Sequence, residues 1–175
     1  MLGTDYVGIG GLCGRFTSKE ELISHAHKFN EVGEKLSKYG FKFTYHNHSN
    51  EFQKYDGKTW FDYLSEIMDG RFTCFELDTC WAHQGGVDVC ATLRKLSRKT
   101  EIIHLKDMEI RSVEGKIFPD VTEMGNGNIN FADIIPLAES QGVKHFIVEQ
   151  DRNWKVSPLE SAKESAAYLK ANFGF

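Results

Sequence analysis

Four short, mostly apolar runs end on a side chain able to bind a metal or move a proton, and this recurrence constrains the chain more than anything else in it. Phe43-Thr44-Tyr45 runs into His46, Phe75-Glu76-Leu77 into Asp78, Ile102-Ile103 into His104, and Phe146-Ile147-Val148 into Glu149. A near-continuous apolar run of this length is the mark of a strand buried in a parallel sheet. Four of them ending on His, Asp or Glu predict side chains converging at one rim of that sheet.

Helical segments fall between the runs. Thr17-Ser18 with Glu20 and Glu21 predicts a capped helix start, and Leu22, Ile23, His25, Ala26, Phe29, Val32, Leu36 and Tyr39 give its stripe up to Gly40. Further helices are expected over residues 59–68, 87–96, 131–140 and 157–172, the last with Pro158 in its first turn. Residues 5–11 read as a short first strand. Tyr55-Asp56-Gly57, Trp81 to Gly86 and the polar stretch Asp107 to Asn130 read as loops. The order is strand then helix, repeated at intervals of roughly 30–40 residues, which implies a parallel sheet with right-handed crossovers. The whole chain, 1–175, reads as a single domain.

Composition narrows the function. The chain of 175 residues is 41% hydrophobic and 26% charged, enough for one domain with a true core. Its net charge of −4 argues against a nucleic-acid partner, and no apolar run approaches the length of a membrane span. Cys13, Cys74, Cys80 and Cys90 show no metal-finger spacing and read as reduced thiols. With no secretion signal at the N-terminus, a cytoplasmic location is expected.

Strand-helix repetition fits either an open dinucleotide-binding sheet or a (β/α)8 barrel. Gly8-Ile9-Gly10-Gly11 only half matches the glycine fingerprint of the former, and His46 stands where an acidic residue would end the second strand. Functional residues at the ends of several strands are the barrel pattern. A whole barrel needs about 250 residues. The α/β fold expected is therefore a TIM-barrel type that is incomplete, with about five βα units.

Tyr45-His46-Asn47-His48 with Glu51-Phe52, Glu76-Leu77-Asp78-Thr79 with Trp81, His104-Leu105-Lys106-Asp107, Gly125-Asn126-Gly127-Asn128-Ile129 and Val148-Glu149-Gln150-Asp151 occur in this order. Together they resemble the C-terminal part of the sugar phosphate isomerase/epimerase family. These are xylose-isomerase-like TIM barrels, with inosose dehydratases and ketose 3-epimerases among the relatives. The resemblance places the first strand as the fourth of the barrel. It implies one divalent metal held by His46, Asp78, His104 and Glu149. His46 departs from the Glu found in many members, so His48 or Glu51 could take its place.

Two imidazoles and two carboxylates suit Mn²⁺, Co²⁺, Fe²⁺ or Zn²⁺ better than Ca²⁺; Mn²⁺ is the first expectation, with Mg²⁺ a further alternative. Isomerisation, epimerisation and elimination of keto-sugars all require removal of a proton next to a carbonyl, and a divalent ion stabilises the resulting enediolate. The resemblance implies Glu149 as the first candidate base, with His48 and Glu51 as further candidates. Lys106 could hold a substrate oxyanion, and Asp107 could orient a ligand His or fix Lys106. Trp81 and Trp154 could line a sugar site, and Gly125-Asn126-Gly127 could bind an anion through its backbone N–H groups.

The expected function is a metal-dependent sugar isomerase or epimerase. A lyase or dehydratase on a keto-sugar or keto-inositol is the alternative. Two further readings are an apurinic-site endonuclease-like metal hydrolase, and an inactive fragment or subunit completed by another chain. The expected partners are a small sugar and, within an oligomer, a second copy or a complementing subunit.

Overall fold

The computed structural model describes residues 3–11 and 18–175. Thr17 and Cys13 lie outside them. In chain order the elements are β1 (Tyr6–Gly10), α1 (Lys19–Ser37), β2 (Lys42–His46), a 3₁₀ turn (Ser49–Phe52), β3 (Lys54–Tyr55), β4 (Lys58–Thr59), α2 (Trp60–Ile67), β5 (Thr73–Asp78), α3 (Thr79–Gln84) and α4 (Val89–Leu96). They are followed by β6 (Thr100–Leu105), β7 (Asp107–Val113), β8 (Lys116–Thr122), α5 (Phe131–Ser140), β9 (His145–Val148) and α6 (Pro158–Phe173).

Five strands form one parallel sheet in the order β1-β2-β5-β6-β9, with each strand beside its successor in the βα series. This is half of a barrel wall. Its outer face carries Phe43, Tyr45, Phe75, Leu77, Ile103 and Leu105, all buried under the helices. Helix α1 starts where the Ser18 side chain accepts the Glu21 N–H. It buries Leu22, Ala26, Phe29 and Gly33, and the Phe29 ring stacks on Phe43 with centroids 5.3 Å apart. Gly33 is required because a side chain there would collide with the Phe72 carbonyl. Each buried Leu or Phe of this layer contributes about 1.5–3 kcal/mol of apolar burial.

Three segments expected as loops are ordered. Asp56 and Gly57 both have positive φ (50° and 81°) and close a two-residue hairpin between β3 and β4. Glu114 and Gly115 (51° and 77°) do the same between β7 and β8, so most of the polar stretch after Asp107 is an antiparallel ribbon. Residues 81–84 belong to the short helix α3, capped by Asp78, rather than to a loop.

Candidate metal centre

Strand geometry brings the ends of β2, β5, β6 and β9 to one place. Side chains two apart along a strand face the same side. His46 closes β2, Asp78 closes β5 directly opposite His104 of β6, and Glu149 follows β9, its N–H donating to the Leu105 carbonyl. His46, Asp78, His104 and Glu149 each offer one ligand atom, and these atoms lie within 4.8 Å of one another.

The surroundings of these side chains differ, and so do their charges. Asp78 is fully buried, and its Oδ1 accepts the Trp81 backbone N–H at 2.8 Å. Burial pushes its pKa up to about 7, against the pull of that hydrogen bond and of Lys106 and His104. His46 is driven down to about 4 by burial and by the neighbouring His104 and His48, which keeps it neutral and able to ligate. His104 is raised to about 9. Its burial opposes the charge, but hydrogen bonds to Glu149 and Glu76 prevail. Its Nδ1 lies 3.0 Å from Glu149 Oε2 and 3.8 Å from Asp78 Oδ2. Glu149 is lowered to about 2 by the His104 hydrogen bond and, against its burial, by Lys106.

The donor set fits a cation on its own terms. His46 Nδ1 and Asp78 Oδ2 are buried with no hydrogen-bond partner among the described residues. A buried polar atom left unpaired is costly, and two of them here belong to side chains of the cluster. Ligand atoms about 2 Å from a shared ion stand no more than about 4 Å apart, so only a modest contraction is needed.

A cleft of about 740 Å³ opens on the concave face of the sheet, and His46, His48, Glu76, His104 and Glu149 line it. The His48 ring meets His46 edge-on at 4.9 Å and approaches Trp81 at 5.4 Å. Lys106 is buried, its ammonium 3.2 Å from Glu149 Oε2, 3.4 Å from Asp151 Oδ2 and 4.9 Å from the centre of the Trp81 ring.

Other expected site residues have different surroundings. Glu51 is fully buried, accepting the Tyr45 hydroxyl at 2.7 Å and the His48 N–H at 2.8 Å. Among the described residues Asp107 makes no hydrogen bond to His104 or Lys106. Its carboxylate accepts the N–H groups of Met108, Gly125, Gly127 and Ile129 at 2.8–3.3 Å. The anion cradled by the Gly125-Asn126-Gly127 turn is therefore Asp107 itself. Trp154 is 41% exposed and its indole N–H donates to the Gln150 carbonyl; it is not part of the cleft lining. Glu76 escaped the sequence reading. It shares the inner face with Asp78, and its Oε1 lies 2.5 Å from His104 Nε2. A count of alternate positions along β5 would have found it.

The xylose isomerase-like TIM barrel family matches residues 1–172. The chain belongs to that family. It is similar to an inosose dehydratase of Mesomycoplasma hyopneumoniae, 25% identical over 171 residues, covering 89% of this chain and 56% of the relative. An inosose dehydratase of Clostridium perfringens is 24% identical over 166 residues, covering 87% and 55%. A crystal structure of a sugar phosphate isomerase/epimerase from Parabacteroides distasonis superposes with a TM-score of 0.83 at 26% identity, covering 99% of this chain and 59% of that one. The chain thus spans about half the length of the curated relatives it matches, in keeping with its half-barrel sheet.

Proposed function

We propose that this xylose isomerase-like chain carries the metal centre of an enzyme that moves a proton next to the carbonyl of a sugar or sugar derivative, as an isomerase or epimerase. One observation carries the reading: four ligand atoms from four strand ends lie within 4.8 Å of one another on a concave, open sheet face. His46, Asp78, His104 and Glu149 would hold the ion. The mixed nitrogen and oxygen set suits a divalent ion such as Mn²⁺, Co²⁺, Fe²⁺ or Zn²⁺, with Mg²⁺ as a substitute. When bound, such an ion supplies a Lewis acid for the carbonyl and adjacent hydroxyl oxygens.

The chain's own groups divide the remaining work. Glu149 is ionised and can accept a proton, and Lys106 fixes its Oε2 while offering a cation for developing negative charge. His48 lines the cleft beside His46 and is the imidazole placed to carry a proton to or from substrate. Glu51 positions His48 through its backbone N–H. Trp81 packs against both the Lys106 ammonium and the His48 ring.

A dehydratase acting on a keto-inositol is the second reading, favoured by the two inosose dehydratase relatives. It begins with the same proton removal. The described sheet leaves β1 and β9 as edges, so a second copy or complementing subunit pairing with them is part of the proposal. The test is solvent exchange. The Mn²⁺-loaded protein, incubated with ketoses or keto-inositols in heavy water, should place deuterium on the carbon beside the carbonyl, and Asp78→Asn should abolish this. No exchange with any of these substrates would overturn the proposal.

A further inference from the structure

We propose that Glu76 is a positioning residue for the metal centre: it receives the Nε2–H of His104 and thereby aims the Nδ1 lone pair at the ion. The inference rests on the metal reading above. A carboxylate oxygen stands at each ring nitrogen of His104, Glu76 Oε1 2.5 Å from Nε2 and Glu149 Oε2 3.0 Å from Nδ1. Asp78 Oδ2 also lies on the Nδ1 side, at 3.8 Å. The nitrogen facing the other two carboxylate ligands is therefore Nδ1, and Nε2 is the one turned away from them.

Glu76 is not one of the four residues whose ligand atoms cluster. It sits two residues before Asp78 on the same face of β5, about 6.6 Å nearer the start of that strand. The strand pairing places Glu76 opposite Ile102 and Asp78 opposite His104. Glu76 thus meets His104 from one inward-facing step below. A neutral imidazole carries one N–H and one lone pair, and an acceptor at one nitrogen fixes which is which. An acceptor at Nε2 leaves Nδ1 as the ligand. Without Glu76 the ring could rotate, or present Nε2 instead.

Titration of Mn²⁺ into wild type, Glu76→Gln and Glu76→Leu tests this, together with NMR of the histidine ring nitrogens in the Zn²⁺-loaded proteins. The Leu variant should bind Mn²⁺ roughly 10–100-fold more weakly. The Gln variant keeps an acceptor oxygen and should fall between the two. In wild type, His104 should coordinate through Nδ1 with its proton on Nε2, and the Nε2–H signal should shift in both variants. If the Leu variant does not fold, the Gln variant carries the test, through its weaker binding and its shifted Nε2–H signal. Tight wild-type binding that the folded variants do not weaken, or coordination of His104 through Nε2, would overturn the role of Glu76 and leave the metal centre standing. A wild-type protein that takes up no cation would overturn both.

Discussion

The Trp81 backbone N–H binds Asp78 Oδ1 at 2.8 Å and leaves Oδ2 buried without a hydrogen-bond partner among the described residues. One carboxylate therefore caps helix α3 with one oxygen and turns the other towards the cluster. The two duties can be separated. Asp78→Asn keeps an oxygen for Trp81 and should lose cation binding and solvent exchange. The stability of wild type relative to this variant should depend on pH in a defined direction. The raised pKa of Asp78 means that its stabilising contribution is complete below about 3.8 and is lost as pH rises through about 7. Thermal melts of the metal-free proteins should thus show Asp78→Asn gaining on wild type between these values. A constant difference across that range would contradict the burial of a charged Asp78.

His104 sets a second pH window. Its pKa is raised from 6.5 to about 9, so its contribution to the metal-free fold is complete below 6.5 and fades as pH climbs through 9. An incoming cation must displace the same proton. Apparent Mn²⁺ affinity should rise across this window, with proton release visible as a buffer-dependent binding heat in calorimetry. Binding heats independent of the buffer would mean that His104 is not a ligand.

Asp107 ties the turn after β8 to the end of β6. Asp107→Ala would strip four backbone N–H groups of their acceptor. The cost should be about 3 kcal/mol, or roughly 10 °C in Tm for a chain of this size. Mn²⁺ affinity at moderate temperature should change little. A large loss of affinity without a loss of stability would restore Asp107 to the site.

Tyr45 and Glu51 form a buried pair at 2.7 Å behind His48. Tyr45→Phe should cost about 2 kcal/mol by removing the donor to a buried carboxylate, as read by denaturant unfolding. Cation binding should survive. Abolished binding at unchanged stability would mean that Glu51, rather than His46, completes the ligand set.

Much of this was legible in the residues. Apolar runs ending at His46, Asp78, His104 and Glu149 located the strands within a residue or two, because a strand packed under helices must be apolar. The capped helices were found for a related reason: Ser18 and Ser157 are side-chain acceptors standing just before apolar periodicity. What escaped was short or polar. Helix α3 spans six residues, too few to show a period, although the Asp78-Thr79 pair is a common turn start and Asp78 does cap it. The β7–β8 ribbon exposes Ile110 and Ile117 and lacks the one-sided apolar alternation of a packed hairpin. Its Glu114-Gly115 turn looks in sequence like any loop. Asp107 looks functional because it follows Lys106, and only the fold brings four N–H groups onto it. Glu76 was hidden inside a run counted as apolar.

The most direct measurement is an anomalous difference map from crystals grown with Mn²⁺. A single peak bonded to His46, Asp78, His104 and Glu149, with His104 contributing Nδ1, is the result this account predicts. A map with no peak among these four side chains, or with the ion held elsewhere, would contradict it.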